Sequence, residues 1–268
     1  MPRFAANLSF LFTEVPFLER FAEAARAGFT AVEFAFPYAY QATDVLGRAK
    51  AHQLQVVLIN APPGDWEAGE RGTASLSGRE HEFAAGIATA LSYARVLHCA
   101  RLHVMAGVVT PDPDPAVTEK RRAQQRAVLV RNLRYACAEA AGVGVTVLLE
   151  ALNPIDVPNY LYTTQAEAHA LRAEVGAANL KVQMDLYHTQ RTEGGLSEKL
   201  TKWLPAIGHI QIAGAPDRHE PDIGEINYRY LFELLDELGY AGFIGCEYRP
   251  ATTTAAGLAW RERLLSRR

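Results

Sequence analysis

Short apolar runs alternate with longer segments of helical spacing along this 268-residue chain. The clearest apolar run spans Gly144–Glu150: it opens at a glycine, continues through β-branched and aliphatic residues, and ends on a carboxylate. Such a short run predicts a strand that is buried on both faces, as in a parallel sheet. Because the carboxyl ends of parallel strands face ligand sites, Glu150 is a candidate site residue.

The same arrangement recurs three times further along the chain. Each later run also ends on an oxygen-bearing side chain and follows the previous run by roughly one strand–helix unit. The later runs are Leu180–Asp185, Ile207–Gln211 and Gly242–Glu247. The side chains at the ends of four consecutive predicted strands are therefore Glu150, Asp185, Gln211 and Glu247.

Four more strands are predicted in the N-terminal half of the chain. They are Arg3–Phe10, Thr30–Phe34, Leu54–Ile59 and Arg101–Met105. Segments of helical spacing separate all eight strands, which predicts an α/β fold of the (β/α)8 TIM-barrel type in one domain covering residues 1–268. An open doubly wound sheet is the competing architecture, but no predicted strand is followed by Gly-x-Gly-x-x-Gly or by a Walker-type loop.

Capping boxes predict the starts of two helices, one at Ser77 with Glu80 and one at Thr164 with Glu167. A single final helix is predicted from about Thr254 to about Leu265.

Composition and charge exclude several classes of protein. Hydrophobic residues make up 49% of the chain and charged residues 21%, as expected for a globular enzyme with a full core. The net charge of −3 argues against a nucleic-acid partner, which requires a surplus of basic residues on one face. No segment approaches about 18 uncharged apolar residues and the N-terminus lacks an apolar signal region, so we expect no membrane association.

The cysteines give information about the compartment. Three cysteines without close spacing predict reduced core thiols in a cytoplasmic protein, rather than disulfides or a zinc site. The sequence leaves the oligomeric state open, with a homo-oligomer among the states considered.

In a barrel, the last four strands are neighbours around half of the ring, so their end residues converge at one mouth. Three carboxylates in a partly desolvated site repel one another and become protonated unless a cation joins them. Oxygen donors favour Mg²⁺ or Mn²⁺ over zinc or copper. The sequence therefore predicts a divalent-metal site at Glu150, Asp185, Gln211 and Glu247. The alternative is that each carboxylate forms an ordinary ion pair at the barrel rim.

Four further side chains are candidates for binding a small-molecule substrate. His188 lies three residues after Asp185, and Arg218 lies in the loop after the seventh strand, where a guanidinium suits a carboxylate. Trp66 and Arg71 lie in a long polar loop, of a length that is usually functional, and are placed to close over a ligand. For each residue, the alternative is an ordinary solvated or packed surface side chain.

Several longer runs resemble one enzyme family. These runs are Arg3–Ser9, Pro63–Gly72, Gly78–Glu80, Gly224–Tyr228 and Gly245–Pro250. They resemble the hydroxypyruvate isomerase family of xylose-isomerase-like TIM barrels, and the resemblance covers essentially the whole chain. It implies one of two related activities, hydroxypyruvate isomerase or 2-oxo-tetronate isomerase. The runs Met1–Ser9, His103–Val109 and Gln211–Pro221 are more similar to the 2-oxo-tetronate branch, whereas Asp65-Trp66 and Lys202-Trp203 are more similar to the hydroxypyruvate branch.

The resemblance also implies roles for individual residues. The metal positions of the family fall on Glu150, Asp185, Gln211 and Glu247, and its acid/base glutamates fall on Glu150 and Glu247. The expected substrate is a small, unphosphorylated hydroxy-oxo acid, for example hydroxypyruvate, which would become tartronate semialdehyde. One glutamate would remove a proton from the hydroxyl-bearing carbon and the other would return a proton to the former carbonyl carbon, through an enediolate that the metal stabilises. Arg218 and His188 would hold the substrate carboxylate.

Three other functions stay open. A sugar epimerase of the same barrel family is one, although related epimerases carry His where this chain has Gln211. A DNA-repair endonuclease is the second, and it would need several His ligands and a basic rim. A non-catalytic sugar-acid binding protein is the third.

Overall fold

Eight parallel strands close into a barrel in chain order, with the last strand pairing with the first. The strands are β1 Arg3–Asn7, β2 Ala31–Phe34, β3 Gln55–Asn60, β4 Arg101–His103, β5 Thr146–Glu150, β6 Leu180–Asp185, β7 Ile207–Ile212 and β8 Phe243–Cys246. This computed structural model describes residues 2–266, so residues 1, 267 and 268 of the predicted domain lie outside the described part. The predicted TIM barrel is confirmed.

Helices connect the strands and cover the barrel. They are α1 Arg20–Arg26, α2 Ala42–Ala51, α3 Glu80–Leu97, α4 Pro115–Ala141, α5 Gln165–Val175, α6 Leu186–Thr192, α7 Leu196–Trp203, α8 Tyr228–Glu237, α9 Thr254–Gly257 and α10 Trp260–Leu265. The apolar spacing of α3 explains its packing, because Phe83, Ile87 and Leu91 fall on one face and are buried. Across residues 2–266, no helix is both long enough and apolar enough to span a bilayer.

The strand register places the predicted site residues at one end of the barrel. Glu150 on β5 is paired in register with Gln183 on β6. Asp185, the last residue of β6, is paired with Gln211 on β7, which in turn is paired with Gly245 on β8. The carboxyl ends of strands β5 to β8 therefore lie at the same end of the barrel, as parallel strands in a closed barrel require.

One predicted helix start is confirmed and one is wrong. Thr164 and Glu167 form the complete capping box of α5. Ser77 does not cap α3, which begins after Arg79 without a side-chain cap. The Arg79 side chain instead forms ion pairs with Glu70 and Glu82, and these pairs tie the start of α3 to the preceding loop.

The final helical segment is interrupted, so the prediction of one continuous helix is wrong. The chain forms α9 and α10 with a break after Gly257. Glycine has a low helix propensity, and at this position the Glu220 carboxylate occupies the space that a Cβ would fill. Beyond the break, Trp260 is wholly buried, packs edge-on against Phe4 at 5.1 Å and donates to the Tyr248 hydroxyl at 3.0 Å.

Candidate active site

A cavity of about 530 Å³ opens at the carboxyl ends of the strands. Six of the eight predicted site residues are in its lining: Glu150, Glu247, His188, Arg218, Trp66 and Arg71. The other two, Asp185 and Gln211, are buried at the adjoining ends of β6 and β7. The structure therefore brings together predicted residues from the ends of four strands, from helix α6 and from two loops.

Glu150, Asp185 and His188 form a cluster with the geometry for holding a metal ion. One ligand atom from each residue lies within 4.8 Å of the other two, and all three side chains are buried. Among the described residues, Oε1 of Glu150 and Oδ2 of Asp185 accept no hydrogen bond, and Oδ2 of Asp185 lies in an ion pair with Arg218 at 3.5 Å. Burying carboxylate oxygens without hydrogen bonds costs free energy, which a bound cation would offset. The two carboxylates of this cluster thus fit a divalent ion.

His188 was predicted to bind the substrate. Its hydrogen bonds fit a side chain that donates a hydrogen bond from Nε2 better than one that binds a metal through Nε2. The backbone N–H of Asn153 donates to Nδ1 of His188 at 3.1 Å. A neutral imidazole whose Nδ1 accepts carries its hydrogen on Nε2. This Nε2 lies 3.8 Å from Oδ2 of Asp185, and the side chain lines the cavity. The arrangement leaves Nε2–H available for an oxygen in the cavity.

Arg218 supplies a positive charge next to two of the predicted metal ligands, and three other arginines also line the cavity. Its Nη2 donates to Oε2 of Glu247 at 2.9 Å and lies 3.5 Å from Oδ2 of Asp185. The guanidinium also packs near the rings of Phe10 and Tyr187, at 4.9 and 5.1 Å from their centroids. Burial would lower the pKa of this guanidinium, but the surrounding carboxylates, first Glu247 and then Asp185, outweigh burial and raise it. Arg218 is therefore a permanent cation between two predicted metal ligands.

Gln211 is held by hydrogen bonds at both atoms of its amide. Its Nε2 donates to Oε1 of Glu33 at 2.7 Å, and its Oε1 accepts from Nε2 of Gln183 at 2.6 Å. Gln183 also donates to Oε2 of Glu150 at 2.9 Å. Gln211 is thus connected to Glu150 through a single side chain.

Burial shifts the pKa values of the acidic groups upward. It raises the pKa of Glu247 to about 8, an increase that Arg218 opposes and Asp185 adds to. It raises the pKa of Asp185 to about 6 against the opposing effect of Arg218. The pKa of Glu150 lies well above its usual range because of burial and, next, the charge of Glu247. Carboxyl groups with raised pKa values are suited to general acid–base work near neutral pH.

The loop that carries Trp66 and Arg71 forms one wall of the cavity. The Arg71 guanidinium stacks on the Trp66 ring at 3.8 Å, and the Trp66 ring packs at 5.3 Å from that of Phe36. Glu70 fastens the loop, because its carboxylate accepts from the backbone N–H of Asp65 and pairs with Arg79. Both predicted residues face the cavity on a loop that is tied at its base.

Several buried polar residues near the site were missed by the sequence analysis, among them Asn7, Glu33, His103 and Gln183. Asn7 and His103 are the last residues of β1 and β4, the same position that singled out Asp185 on β6. The predicted strands ran past both residues because apolar residues continue into the buried loops. His103 lines the cavity with Nε2 at 3.5 Å from Oε2 of Glu150, and burial lowers its pKa to about 3.

Comparison with known proteins agrees with this geometry. A family model described as the xylose isomerase-like TIM barrel matches residues 21–264. A 2-oxo-tetronate isomerase from Cupriavidus necator is 53% identical over 267 residues, 100% of both chains. A hydroxypyruvate isomerase from Escherichia coli is 45% identical, covering 98% of this chain and 99% of the relative. The chain belongs to the xylose isomerase-like TIM barrel family and, within it, to the hydroxypyruvate isomerase family of isomerases.

A solved structure is also closely similar. It is described as an AP endonuclease, family 2, from Brucella melitensis. It superposes with a TM-score of 0.93 at 48% sequence identity, and the match covers 98% of this chain and 99% of that one.

Proposed function

We propose that the protein isomerises a small, unphosphorylated hydroxy-oxo acid, either hydroxypyruvate or 2-oxo-tetronate. The observation that carries the proposal is that Glu150 and Glu247, two carboxyl groups with raised pKa values, line the same cavity. The names of the full-length relatives support this choice of substrates. A cytoplasmic location is part of the proposal, and it is supported by three buried, free cysteines.

The two glutamates would perform the proton transfers at carbon. In hydroxypyruvate, one glutamate removes a proton from the hydroxyl-bearing carbon and leaves an enediolate. The other delivers a proton to the former carbonyl carbon, and the proton of the terminal hydroxyl passes to the former carbonyl oxygen, so that the aldehyde and the new hydroxyl form together. Removal and delivery by positioned side chains each contribute typically about 10²–10⁴-fold to the rate.

Arg218 and His188 would hold the substrate. Arg218 is one of four arginines in the cavity wall and lies beside Glu247, and a guanidinium binds a planar carboxylate through two parallel hydrogen bonds. The His188 Nε2–H is oriented by the bond from Asn153 to Nδ1 and would donate to a substrate oxygen. Trp66 and Arg71 would limit access of water to the reacting carbons from the loop side.

The residues proposed to hold a divalent ion, Mg²⁺ or Mn²⁺, are Glu150, Asp185, Gln211 and Glu247. Support for this assignment comes from Oε1 of Glu150 and Oδ2 of Asp185, which accept no hydrogen bond, and from the all-oxygen donor set. When bound, such an ion acts as a Lewis acid that polarises a carbonyl group and stabilises developing negative charge.

The test is a side-by-side assay of the metal-loaded enzyme on hydroxypyruvate and 2-oxo-tetronate. We expect turnover of at least one acid and its loss after exhaustive chelation. The proposal would be overturned if neither acid were converted. The metal requirement would be overturned if full turnover persisted in the presence of chelator.

A second function, endonuclease action at abasic sites, is named by the description of the similar Brucella structure. The net charge of −3 and a cavity of about 530 Å³ walled by Trp66 and Arg71 favour a small substrate over a duplex. Incubation of the metal-loaded enzyme with abasic-site DNA separates the two, and we expect no strand cleavage.

A further inference from the structure

We propose that Glu33 is a positioning residue, which fixes the amide of Gln211 toward the site and holds Asn7 against Glu247. The inference rests on the proposed function, because it assigns a role around the same reaction. Glu33 does not line the cavity and would not touch the substrate. It would act through the two side chains that it holds.

Glu33 is a wholly buried charged residue whose side chain crosses the barrel. It lies on β2, between Val32 and Phe34, yet its carboxylate reaches side chains on β1 and β7. Oε1 accepts from Nε2 of Gln211 at 2.7 Å and from Nδ2 of Asn7 at 3.0 Å. Oε2 pairs with Nε2 of His209 at 2.6 Å. Three donors thus converge on one carboxylate inside the barrel.

This carboxylate determines which way the Gln211 amide points. A carboxylate only accepts hydrogen bonds, so the NH₂ group of Gln211 must face Glu33. The Oε1 atom of Gln211 then faces away from Glu33, where it accepts from Gln183, the residue that also bonds Glu150. The two ends of an amide are nearly equal in size, so packing alone does not prevent a flip. A flipped amide would present hydrogens, which cannot bind a cation, in place of the oxygen.

The second branch runs from Glu33 to Glu247. Nδ2 of Asn7 lies 3.0 Å from Oε1 of Glu33 and 3.3 Å from Oε1 of Glu247. A continuous set of side-chain hydrogen bonds therefore leads from Glu247 through Asn7, Glu33, Gln211 and Gln183 to Glu150. Glu33 lies at the middle of this set, and the two proposed acid/base groups lie at its ends.

Strand β8 is shaped to admit the Glu33 carboxylate. Gly245 pairs in register with Gln211, and a Cβ built on it would approach both Glu33 carboxylate oxygens far inside van der Waals contact. Any larger residue at this position would displace the carboxylate. The absence of a side chain at Gly245 on β8 therefore leaves the space that the Glu33 carboxylate occupies.

The experiment compares Glu33→Gln with wild type in three measurements: Mn²⁺ affinity by calorimetry, kcat and KM, and thermal stability. Residues that orient metal ligands typically contribute about 10–100-fold to affinity or activity. We expect Mn²⁺ affinity and kcat each to fall by about this factor, with a smaller change in KM. The matched control is Glu220→Gln, the same change at a buried carboxylate whose hydrogen bonds run to the backbone of Ala251. It should lower stability without changing Mn²⁺ affinity.

A rescue variant separates positioning from a general loss of stability. In Glu33→Gln combined with Gln211→Glu, the new amide donates to the new carboxylate, so the hydrogen bond returns with its polarity reversed. We expect this double variant to bind Mn²⁺ more tightly than Glu33→Gln. Gln211→Glu alone should bind it less tightly than the double variant, because two carboxylates then face each other.

The outcomes distinguish this inference from the proposed function. If Glu33→Gln loses stability but binds Mn²⁺ and turns over like wild type, Glu33 is structural and the inference is wrong while the function stands. If the double variant shows no recovery of Mn²⁺ affinity, the orientation argument is overturned. If wild type isomerises neither acid, the proposed function fails, and the Mn²⁺ affinities still decide the role of Glu33.

Discussion

Replacing Glu247 with glutamine tests the proposed proton transfer at nearly constant shape. In the structure, Oε2 accepts from Arg218 at 2.9 Å and Oε1 accepts from Asn7 at 3.3 Å, so the carboxylate accepts at both oxygens. An amide has only one oxygen, so either orientation places its NH₂ group against a donor. One hydrogen bond is therefore lost, and where the partner is charged this costs about 1.5–3 kcal/mol.

The larger effect should be on catalysis. Loss of one general acid–base group lowers kcat by about 10²–10⁴-fold, or about 3–5 kcal/mol in the activation free energy. The assay measures kcat and KM on the better substrate, with thermal stability in parallel. Glu220→Gln is the matched control: it makes the same change at a buried carboxylate that is outside the cavity lining and accepts from the backbone N–H of Ala251. If Glu247→Gln kept activity comparable to this control, Glu247 would have no acid/base role.

Three further predictions follow from particular contacts. Exhaustive chelation should abolish turnover and lower the melting temperature, because a ligand at about 100 times its Kd stabilises the folded state by about 2.7 kcal/mol; an unchanged melting temperature after re-addition of Mn²⁺ would contradict this. Gly245→Ala should destabilise the fold by about 1–3 kcal/mol, measured by urea unfolding, because its Cβ overlaps the Glu33 carboxylate; wild-type stability would show that the carboxylate can move aside. His169 stacks on Trp203 at 4.6 Å, and burial, then Arg172 and Lys202, lower its pKa to about 4. An unfolded histidine has a pKa of about 6.5, so the contribution of His169 to the free energy of unfolding is fully present above that pH and is lost as the pH falls toward about 4. This dependence of the unfolding free energy on pH should be absent in His169→Gln.

The fold was predictable because burial leaves a regular pattern in the sequence. Each strand of a parallel barrel is a short apolar run, and each covering helix has one apolar face, so the eight units can be counted. Glu150, Asp185 and Gln211 were found because each is a polar residue that closes a short apolar run, at or within one residue of the end of its strand.

The hydrogen bonds around Glu33 could not be predicted from local sequence patterns. Glu33 is a single charge inside an apolar run, and its partner His209 lies 176 residues away on a strand across the barrel. No spacing rule connects residues at that distance. Asn7 and His103 were hidden for a different reason: Leu8 and Val104, which follow them, are buried loop residues, and a buried apolar loop reads as a continued strand.

Helix α6 was missed because Asp185 has two structural roles. It ends β6 and, through Oδ1, accepts from the backbone N–H of Tyr187 as the N-cap of α6. Helix α6 therefore begins directly after β6 without a connecting loop. The sequence has no glycine, proline or other turn residue between them that would predict the start of a helix.

The most direct measurement is the fate of hydrogen when the metal-loaded enzyme isomerises hydroxypyruvate in D₂O. If one glutamate removes the proton and a different glutamate delivers one, the hydrogen on the former carbonyl carbon comes from solvent. We predict deuterium at that carbon in the product by NMR. A product carrying only the original substrate hydrogen there would mean that this hydrogen moves by a hydride shift or through a single base, and would contradict transfer through both Glu150 and Glu247.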